Sequence, residues 1–241
     1  MRIAVLGNSH VGSIKRAWDR IGSERPSVEL VFFAQRADGM KDLRLEGRRL
    51  VADDPALKAA LAFTSRGRDA IDLDDFDAVL LYSLGVEPFF LDESRGYSRQ
   101  VIQRAMEDIA FGRIGFRLLE QISDVWDRPV HVAHTPLVAA RPATPATSPE
   151  HYAAGARRID ETIYRPRGAR FTPQPLETIV NGRETDIRFS KGSKRLAIGD
   201  RADDKPHPDF DIEHMNDEYG ALWLREFLSG LDGLGPARAV V

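Results

Sequence analysis

The sequence predicts an α/β fold: a five-stranded, doubly wound parallel sheet between two helix layers, that is, a three-layer α/β/α sandwich. Apolar, β-branched runs alternate with segments of helical periodicity along the chain, which is typical of parallel strands joined by crossover helices. The chain has 241 residues, of which 42% are hydrophobic. That length supports one substantial core. We therefore expect residues 1–241 to form a single domain.

The first strand and helix are predicted at residues 3–6 and 11–18, with the tight turn Gly7-Asn8-Ser9 between them. A serine directly before a helix is a preferred N-cap. The same position also presents its hydroxyl beside backbone N–H groups and a helix N-terminus, which stabilise negative charge. Ser9 is therefore either a helix cap or a nucleophile, and the turn alone does not distinguish the two.

Four further runs predict the remaining strands. Residues 77–84 are almost continuously apolar up to Gly85, as expected for a strand buried on both faces of a parallel sheet. Residues 27–34 and 128–136 predict the second and fourth strands. The fifth is expected at 171–176, and its prolines indicate an edge strand.

A long helical region is predicted at residues 98–126. Gly112 and Gly115 are unfavourable inside a helix, so we expect a bend or break there. The region is expected to pack on the sheet, and its length also leaves room for a lid or a homo-oligomer face. Further helices are expected at 55–63, 149–164 and 219–228.

Three segments without a clear helical period are expected outside the main sheet. Residues 39–47 predict a loop. Residues 139–149, rich in proline, alanine and threonine, predict an excursion that either covers the site or lies exposed. Residues 186–198 predict a small hairpin.

Composition excludes several classes of function. The net charge of −3 gives no basic surface for nucleic acid, and the absence of cysteine excludes disulfides, thiolate metal sites and a cysteine nucleophile. No apolar run reaches the roughly 18 residues of a membrane-spanning helix, and the first run is shorter than the roughly 7–15 residues of a signal-peptide core. We predict a cytoplasmic protein with no membrane span, no cofactor and no bound metal.

A second motif lies near the other end of the chain, where Asp211-Ile212-Glu213-His214 precedes the last helix. A serine of ordinary pKa needs an imidazole to take its proton, and that imidazole needs a partner that fixes its tautomer. Asp211 and His214 supply both groups. His207, in the same charged loop, is a rival base.

Together the two ends resemble the SGNH hydrolase superfamily, also called GDSL-type esterases. In that family the catalytic serine follows strand one in a Gly-Asp-Ser turn, which here reads Gly7-Asn8-Ser9, and Asp-x-x-His precedes the final helix, as Asp211 and His214 do here. The resemblance implies the flavodoxin-like strand order 2-1-3-4-5. It also implies a triad of Ser9 as nucleophile, His214 as base and then acid, and Asp211 as orienting carboxylate.

The central motifs of the family match less well. Gly39 is the counterpart of the family glycine after strand two, or an ordinary loop glycine. After strand three the sequence is Leu84-Gly85-Val86-Glu87, which keeps the family glycine and lacks its asparagine. Loss of an oxyanion donor costs on the order of 10²–10³ in rate, so we expect Asn8 or another group to replace it, or an unusual substrate.

Ligands of open α/β sheets bind beyond the carboxyl ends of the strands. Glu87 is therefore predicted near Ser9, either as a substrate contact or as an exposed loop acid. His134, at the end of the fourth strand, is also placed to contact a substrate. A metal held by His131 and His134 would need at least a third donor.

The predicted activity is hydrolysis of an ester, an O-acyl group on a carbohydrate or another small alcohol, through an acyl-enzyme on Ser9. Two alternatives stay open. The same triad could transfer the acyl group to a sugar hydroxyl, as an O-acyltransferase in polysaccharide modification. Alternatively, residues 7–9 hold a phosphate or nucleotide in a non-catalytic module, although the extra glycines and lysine of a phosphate loop are missing.

Overall fold

The main sheet has five parallel strands in the predicted flavodoxin-like order. The computed structural model describes residues 1–142 and 144–232, and it confirms the predicted α/β fold. The strands are β1 (Arg2–Gly7), β2 (Glu29–Ala34), β3 (Ala78–Tyr82), β4 (Val130–Ala133) and β5 (Ala169–Thr172). Their order in the sheet is β2-β1-β3-β4-β5, and every neighbouring pair is parallel.

Helices cover both faces of this sheet. In β1, Ile3 and Val5 point into a core with α1 and α6, whereas Ala4 and Leu6 point into a second core formed with the other helices. This alternation follows from the two-residue period of a strand. None of the helices in the described parts of the chain is long and apolar enough to cross a membrane. The helices are α1 (Val11–Ile21), α2 (Pro55–Ser65), α3 (Arg99–Ala110), α4 (Ile114–Ser123), α5 (Pro149–Ile159) and α6 (Asp217–Asp232).

The predicted break in the long helical region lies between α3 and α4. Gly112 has a φ of +76°, a conformation that ends a helix and that glycine adopts at little cost. Gly115 lies inside α4, where an added Cβ would lie 2.8 Å from Val86 Cγ2. The two glycines therefore have different roles: the first ends α3, and the second lets α4 approach the loop after β3.

Two short antiparallel sheets differ from the predictions. The predicted loop at 39–47 contains a strand, Arg44–Glu46, which pairs with Arg49–Val51, and that strand pairs with Ile71–Asp72. The second antiparallel pair joins Ile179–Val180 to Glu184–Thr185.

The hairpin predicted at 186–198 does not form, and residues 187–189 make a 3₁₀ turn instead. Phe189 and Leu196, one from each of the two expected strands, are both buried in the core under α1 and α6. These two apolar residues therefore fix a loop to the core at two separate points and do not form one face of a strand pair.

Close packing of α1 against α6 brings the two ends of the chain together. Gly220 on α6 lies against the backbone of α1, where an added Cβ would lie 2.4 Å from the Ser13 carbonyl oxygen. Arg16 on α1 binds Asp217 at the start of α6, with Nε 2.8 Å from Oδ1. Because α1 follows Ser9 and α6 follows His214, this contact sets the positions of both residues.

Candidate active site

The turn after β1 presents the hydroxyl of Ser9 without using it as a helix cap. An added Cβ on Gly7 would lie 2.1 Å from Val11 Cγ2 and 3.0 Å from the Tyr82 carbonyl oxygen, so only glycine fits this approach of strand and helix. Asn8 takes the local side-chain bond, because its Oδ1 accepts the N–H of His10 at 3.2 Å. The first residue before α1 is His10, and its side chain makes no capping bond.

The closing loop brings an imidazole to Ser9 across most of the chain. His214 Nε2 lies 3.1 Å from Ser9 Oγ, and His214 Nδ1 lies 3.0 Å from Asp211 Oδ2. The other carboxylate oxygen of Asp211 accepts the backbone N–H groups of Glu213 and His214, each at 2.9 Å. The carboxylate is thereby fixed, and it holds the His214 proton on Nδ1, which leaves Nε2 free to accept a proton.

The environment of Asp211 keeps its carboxylate charged. Partial burial acts to raise the pKa of Asp211, but hydrogen bonds from the backbone and side chain of His214 and from the backbone of Glu213 outweigh burial. The pKa therefore lies below its ordinary value, because hydrogen bonds to the charged form favour that form. At neutral pH, Asp211 is an acceptor for the imidazole and a negative charge that stabilises its protonated form.

Two further imidazoles enclose His214. His207 stacks on one face, with ring centroids 4.0 Å apart and planes 10° apart, and His10 stacks on the other at 4.8 Å and 13°. Burial lowers the pKa of His10 to about 3 and that of His207 to about 4, with the neighbouring His214 as the second cause in each case. Both outer rings are therefore neutral near pH 7.

His207 does not occupy the position of a base toward Ser9. Its Nδ1 lies 3.1 Å from the same Asp211 oxygen that His214 contacts, and its Nε2 is buried without a hydrogen-bond partner among the described residues. The serine hydroxyl contacts His214 instead. Of the two candidate bases, the geometry favours His214.

Two arginines fasten the segment that carries His207. Arg16 Nη2 donates to the Lys194 carbonyl at 3.1 Å, and Arg36 Nε donates to the Leu196 carbonyl at 2.8 Å. Arg36 also pairs with Asp203, with 3.0 Å between Nη2 and Oδ1. These contacts tie the loop to α1 and to the end of β2, so the imidazoles are held before any ligand binds.

The predicted oxyanion donors fall into two groups. The N–H of Gly39 donates to the Arg36 carbonyl at 3.1 Å in a 3₁₀ turn, so it is not free in the way the resemblance implied. The N–H groups of Ser9 and Gly85 and the side-chain amide of Asn8 donate to no acceptor within the described residues. Those three donors are available to a ligand.

The loop after β3 has an unusual backbone. Ser83, Leu84 and Gly85 all have positive φ, at 67°, 46° and 77°, a conformation that is costly for the first two residues. Ser83 is anchored by a 2.7 Å bond between its Oγ and Thr135 Oγ1. This strained turn includes Gly85, the counterpart of the family glycine, and Glu87, two residues further on, stands where the family pattern has its asparagine.

The side chains of Glu87 and His134, both candidate substrate contacts, are already paired within the protein. Glu87 is exposed and pairs with Arg113, 2.5 Å from Oε1 to Nη2. His134 is buried, with Nδ1 2.6 Å from the Thr135 carbonyl oxygen and Nε2 2.6 Å from the Tyr152 hydroxyl. His131, the other histidine of this strand, packs on Phe227 of α6, so the two histidines face opposite helix layers.

Three features of the site were not predicted from the sequence. They are the stacking of His10 on His214, the sharing of Asp211 by two histidines, and the close approach of Gly220 to α1. The spacing of His207 and Asp211, four residues apart, was the available signal for the second. No local pattern indicates the other two, since both depend on where α6 packs.

No family model and no curated protein matches this chain. Among solved structures, a water-forming NADH oxidase from Lactobacillus brevis bound to NADH is weakly similar, with 14% identity and a TM-score of 0.16. The similarity covers 72% of this chain and 46% of the oxidase, so this chain spans less than half of that protein's length. A TM-score this low supports no conclusion about this chain.

Proposed function

We propose that this protein is a serine hydrolase of the SGNH type that cleaves an ester through an acyl-enzyme on Ser9. One observation carries the proposal: the hydrogen-bonded path from Ser9 Oγ to His214 Nε2 at 3.1 Å and from His214 Nδ1 to Asp211 Oδ2 at 3.0 Å. Each atom is in the place that its role in a triad requires. The flavodoxin-like strand order agrees with the same class.

In the proposed mechanism Ser9 Oγ attacks the ester carbonyl carbon while its proton passes to His214 Nε2. Asp211 stabilises the imidazolium that forms. His214 then gives the proton to the alkoxide, the alcohol leaves, and the acyl group remains on Ser9. A water molecule, activated by the same imidazole, releases the acid and restores the serine.

The oxyanion would be held by the N–H of Ser9 together with the Gly85 N–H or the Asn8 amide. These three donors lie at this edge of the sheet and have no partner among the described residues. Asn8, directly before the nucleophile, takes the role of the family's missing asparagine in this proposal. Donors aimed at developing charge are worth about 3–4 kcal/mol each.

The stacked imidazoles support the proposed role of His214. Because the pKa values of His10 and His207 are lowered to about 3 and about 4, both rings are neutral at neutral pH and are weaker bases than an ordinary imidazole. Ser9 Oγ contacts His214 Nε2, so the serine proton passes to that ring, and the outer rings cover both of its faces.

The proposed substrate is an ester of small size, such as an O-acyl carbohydrate, processed in the cytoplasm. Transfer to a sugar hydroxyl is the second candidate, and the absence of the family asparagine after β3 is the observation that favours it. Incubation with an acyl donor and free sugars, followed by mass analysis of the products, separates the two. Acylated sugar in excess of free acid would indicate a transferase.

The direct test is labelling with a fluorophosphonate probe and identification of the modified peptide. We expect the label on Ser9 of the wild-type protein and none on Ser9→Ala or His214→Ala. Both variants should lose at least about 10⁴-fold in turnover of a short-chain aryl ester. Ser229→Ala, which alters a surface serine on α6, is the matched control and should behave as wild type. Unchanged turnover in Ser9→Ala would refute the proposal.

A further inference from the structure

The triad needs one imidazole on Asp211, and this protein supplies two. Oδ2 of Asp211 lies 3.0 Å from His214 Nδ1 and 3.1 Å from His207 Nδ1. The rings are nearly parallel, with planes 10° apart and centroids 4.0 Å apart, so both Nδ1 atoms face the same carboxylate. A second imidazole in this position has no part in the transfer of a proton from Ser9.

The three side chains have the composition and spacing of a metal site. Their ligand atoms all lie within 4.8 Å of one another, and two imidazole nitrogens with a carboxylate oxygen form a donor set that Zn²⁺ takes readily. With bonds of about 2.0–2.1 Å, tetrahedral ligands stand about 3.3 Å apart. The two nitrogen–oxygen distances are already close to that value, and the two parallel rings must turn so that their Nδ1 lone pairs converge on the ion.

The remaining contacts leave these ligand atoms available. Oδ1 of Asp211 is held by two backbone N–H groups, whereas Oδ2 is paired, within the part of the chain that the structure describes, with the two imidazoles. The loop that carries His207 is fastened by Arg16 and Arg36. An ion at the Nδ1 edges of the two rings, beside Asp211 Oδ2, would therefore meet side chains that are already close to it, which reduces the entropic cost of binding.

We propose that His207, Asp211 and His214 bind a divalent transition-metal ion of the Zn²⁺ type, and that the bound ion switches off the nucleophile. The ion accepts the Nδ1 lone pairs and one carboxylate oxygen, with water in the fourth position. Metal binding itself does not depend on the proposed function. The inhibition rests on the hydrolase activity proposed for Ser9.

The inhibition follows from the tautomer that metal binding imposes. Each neutral imidazole carries one ring proton, now on Nδ1 toward Asp211, and a metal on Nδ1 moves that proton to Nε2. His214 then presents Nε2–H to Ser9 Oγ, 3.1 Å away, and has no lone pair to accept the serine proton. No net proton leaves either imidazole, and removal of the metal restores the active tautomer.

Binding is measured by calorimetric titration of the full chain with ZnCl₂ in a non-chelating buffer. Wild type and Ser9→Ala, which keeps all three ligands, should bind one equivalent with similar affinity. His207→Gln should bind at least about 10–100-fold more weakly, since loss of even an outer-shell partner has an effect of that size. Co²⁺ in place of Zn²⁺ should give wild type the visible absorption of a tetrahedral site. His151→Gln alters a histidine of α5 that is paired with Asp92, and this variant controls for zinc binding elsewhere on the surface.

Turnover of an aryl ester is then followed with Zn²⁺ and after addition of EDTA. We expect Zn²⁺ to inhibit wild type and His151→Gln, EDTA to reverse the inhibition, and His207→Gln to require at least about ten times more metal. Equal zinc affinity in wild type and His207→Gln would overturn the metal site. Zinc bound at this site that activates turnover would overturn the inhibition. Normal binding by a protein without esterase activity would instead count against the proposed function and leave the metal site standing.

Discussion

His214 and His134 both lie at the carboxyl edge of the sheet, and both engage their two ring nitrogens. At His214 the partners are a carboxylate and a serine hydroxyl, whereas at His134 they are a backbone carbonyl and the Tyr152 hydroxyl. His134 is also 3% exposed, and burial lowers its pKa to about 4. An imidazole at this edge of the sheet is therefore suited to proton transfer only where a charged partner stabilises its cation and a reactant can reach it.

Asp211→Asn should produce the largest difference between the two histidines. The amide can still bond to His214, but it no longer fixes the tautomer or stabilises the imidazolium, so turnover should fall about 10⁴-fold. Stability should change little, because the amide oxygen still accepts the backbone N–H groups. Steady-state kinetics and denaturant unfolding measure the two effects. Asp209→Asn, two residues earlier in the loop, is the control, and a loss in Asp211→Asn below tenfold would contradict the assigned role.

His134→Ala should have the opposite profile. The change leaves a cavity beside Phe171, on which the ring stacks, and removes a partner of the buried Tyr152 hydroxyl. We expect the free energy of unfolding to fall by about 2–4 kcal/mol, with turnover of the folded protein within about threefold of wild type. Urea titration and active-site-normalised kinetics test this. A selective loss of turnover without destabilisation would make His134 part of the site.

Gly220→Ala tests whether helix packing positions the reactive pair. The added methyl would meet the Ser13 carbonyl oxygen at 2.4 Å, so α6 must move away from α1. Overpacking of this kind costs about 1–3 kcal/mol, and the displacement should also reduce turnover, because both reacting side chains adjoin these helices. Gly230→Ala is a matched control on the same helix, since its added Cβ meets nothing within 4 Å. Equal effects in the two variants would remove this explanation.

The resemblance of the two chain ends to the SGNH family implied both the strand order and the meeting of Ser9 with His214. The residues alone indicated the individual strands and the Asp-x-x-His motif, which are local patterns, but not how those elements are arranged in space. The sequence did not predict that His134 is buried and bonded to Tyr152. A position at the end of a strand places a residue at the correct edge, but the direction of its side chain depends on Tyr152, which arrives from α5. Similarly, Gly39 was assigned by its place after β2, whereas its N–H is consumed by a turn that the composition does not reveal.

The effect expected to be smallest at pH 7 is the loss of stability in acid that buried histidines cause. Burial, with the Arg170 charge as a second cause, lowers the pKa of His131 to about 4. Between about pH 6.5 and 4, His131 is therefore protonated in the unfolded chain and neutral in the folded protein. Stability should fall by roughly 1.4 kcal/mol per pH unit for this residue between about pH 6.5 and 4, and level off below that range. His131→Phe should remove one proton from the slope and keep the packing on Phe227, while His10, His134 and His207, whose pKa values are also lowered, still contribute in both proteins. Urea titrations between pH 4 and 7 measure the slopes, and identical slopes would mean that His131 titrates normally in the folded protein. Nε2 of His131 is buried without a hydrogen-bond partner among the described residues, so the variant should be no less stable than wild type at pH 7. A buried histidine without a charged partner therefore lowers stability in acid and contributes no proton transfer, whereas His214 has the Asp211 carboxylate to stabilise its cation.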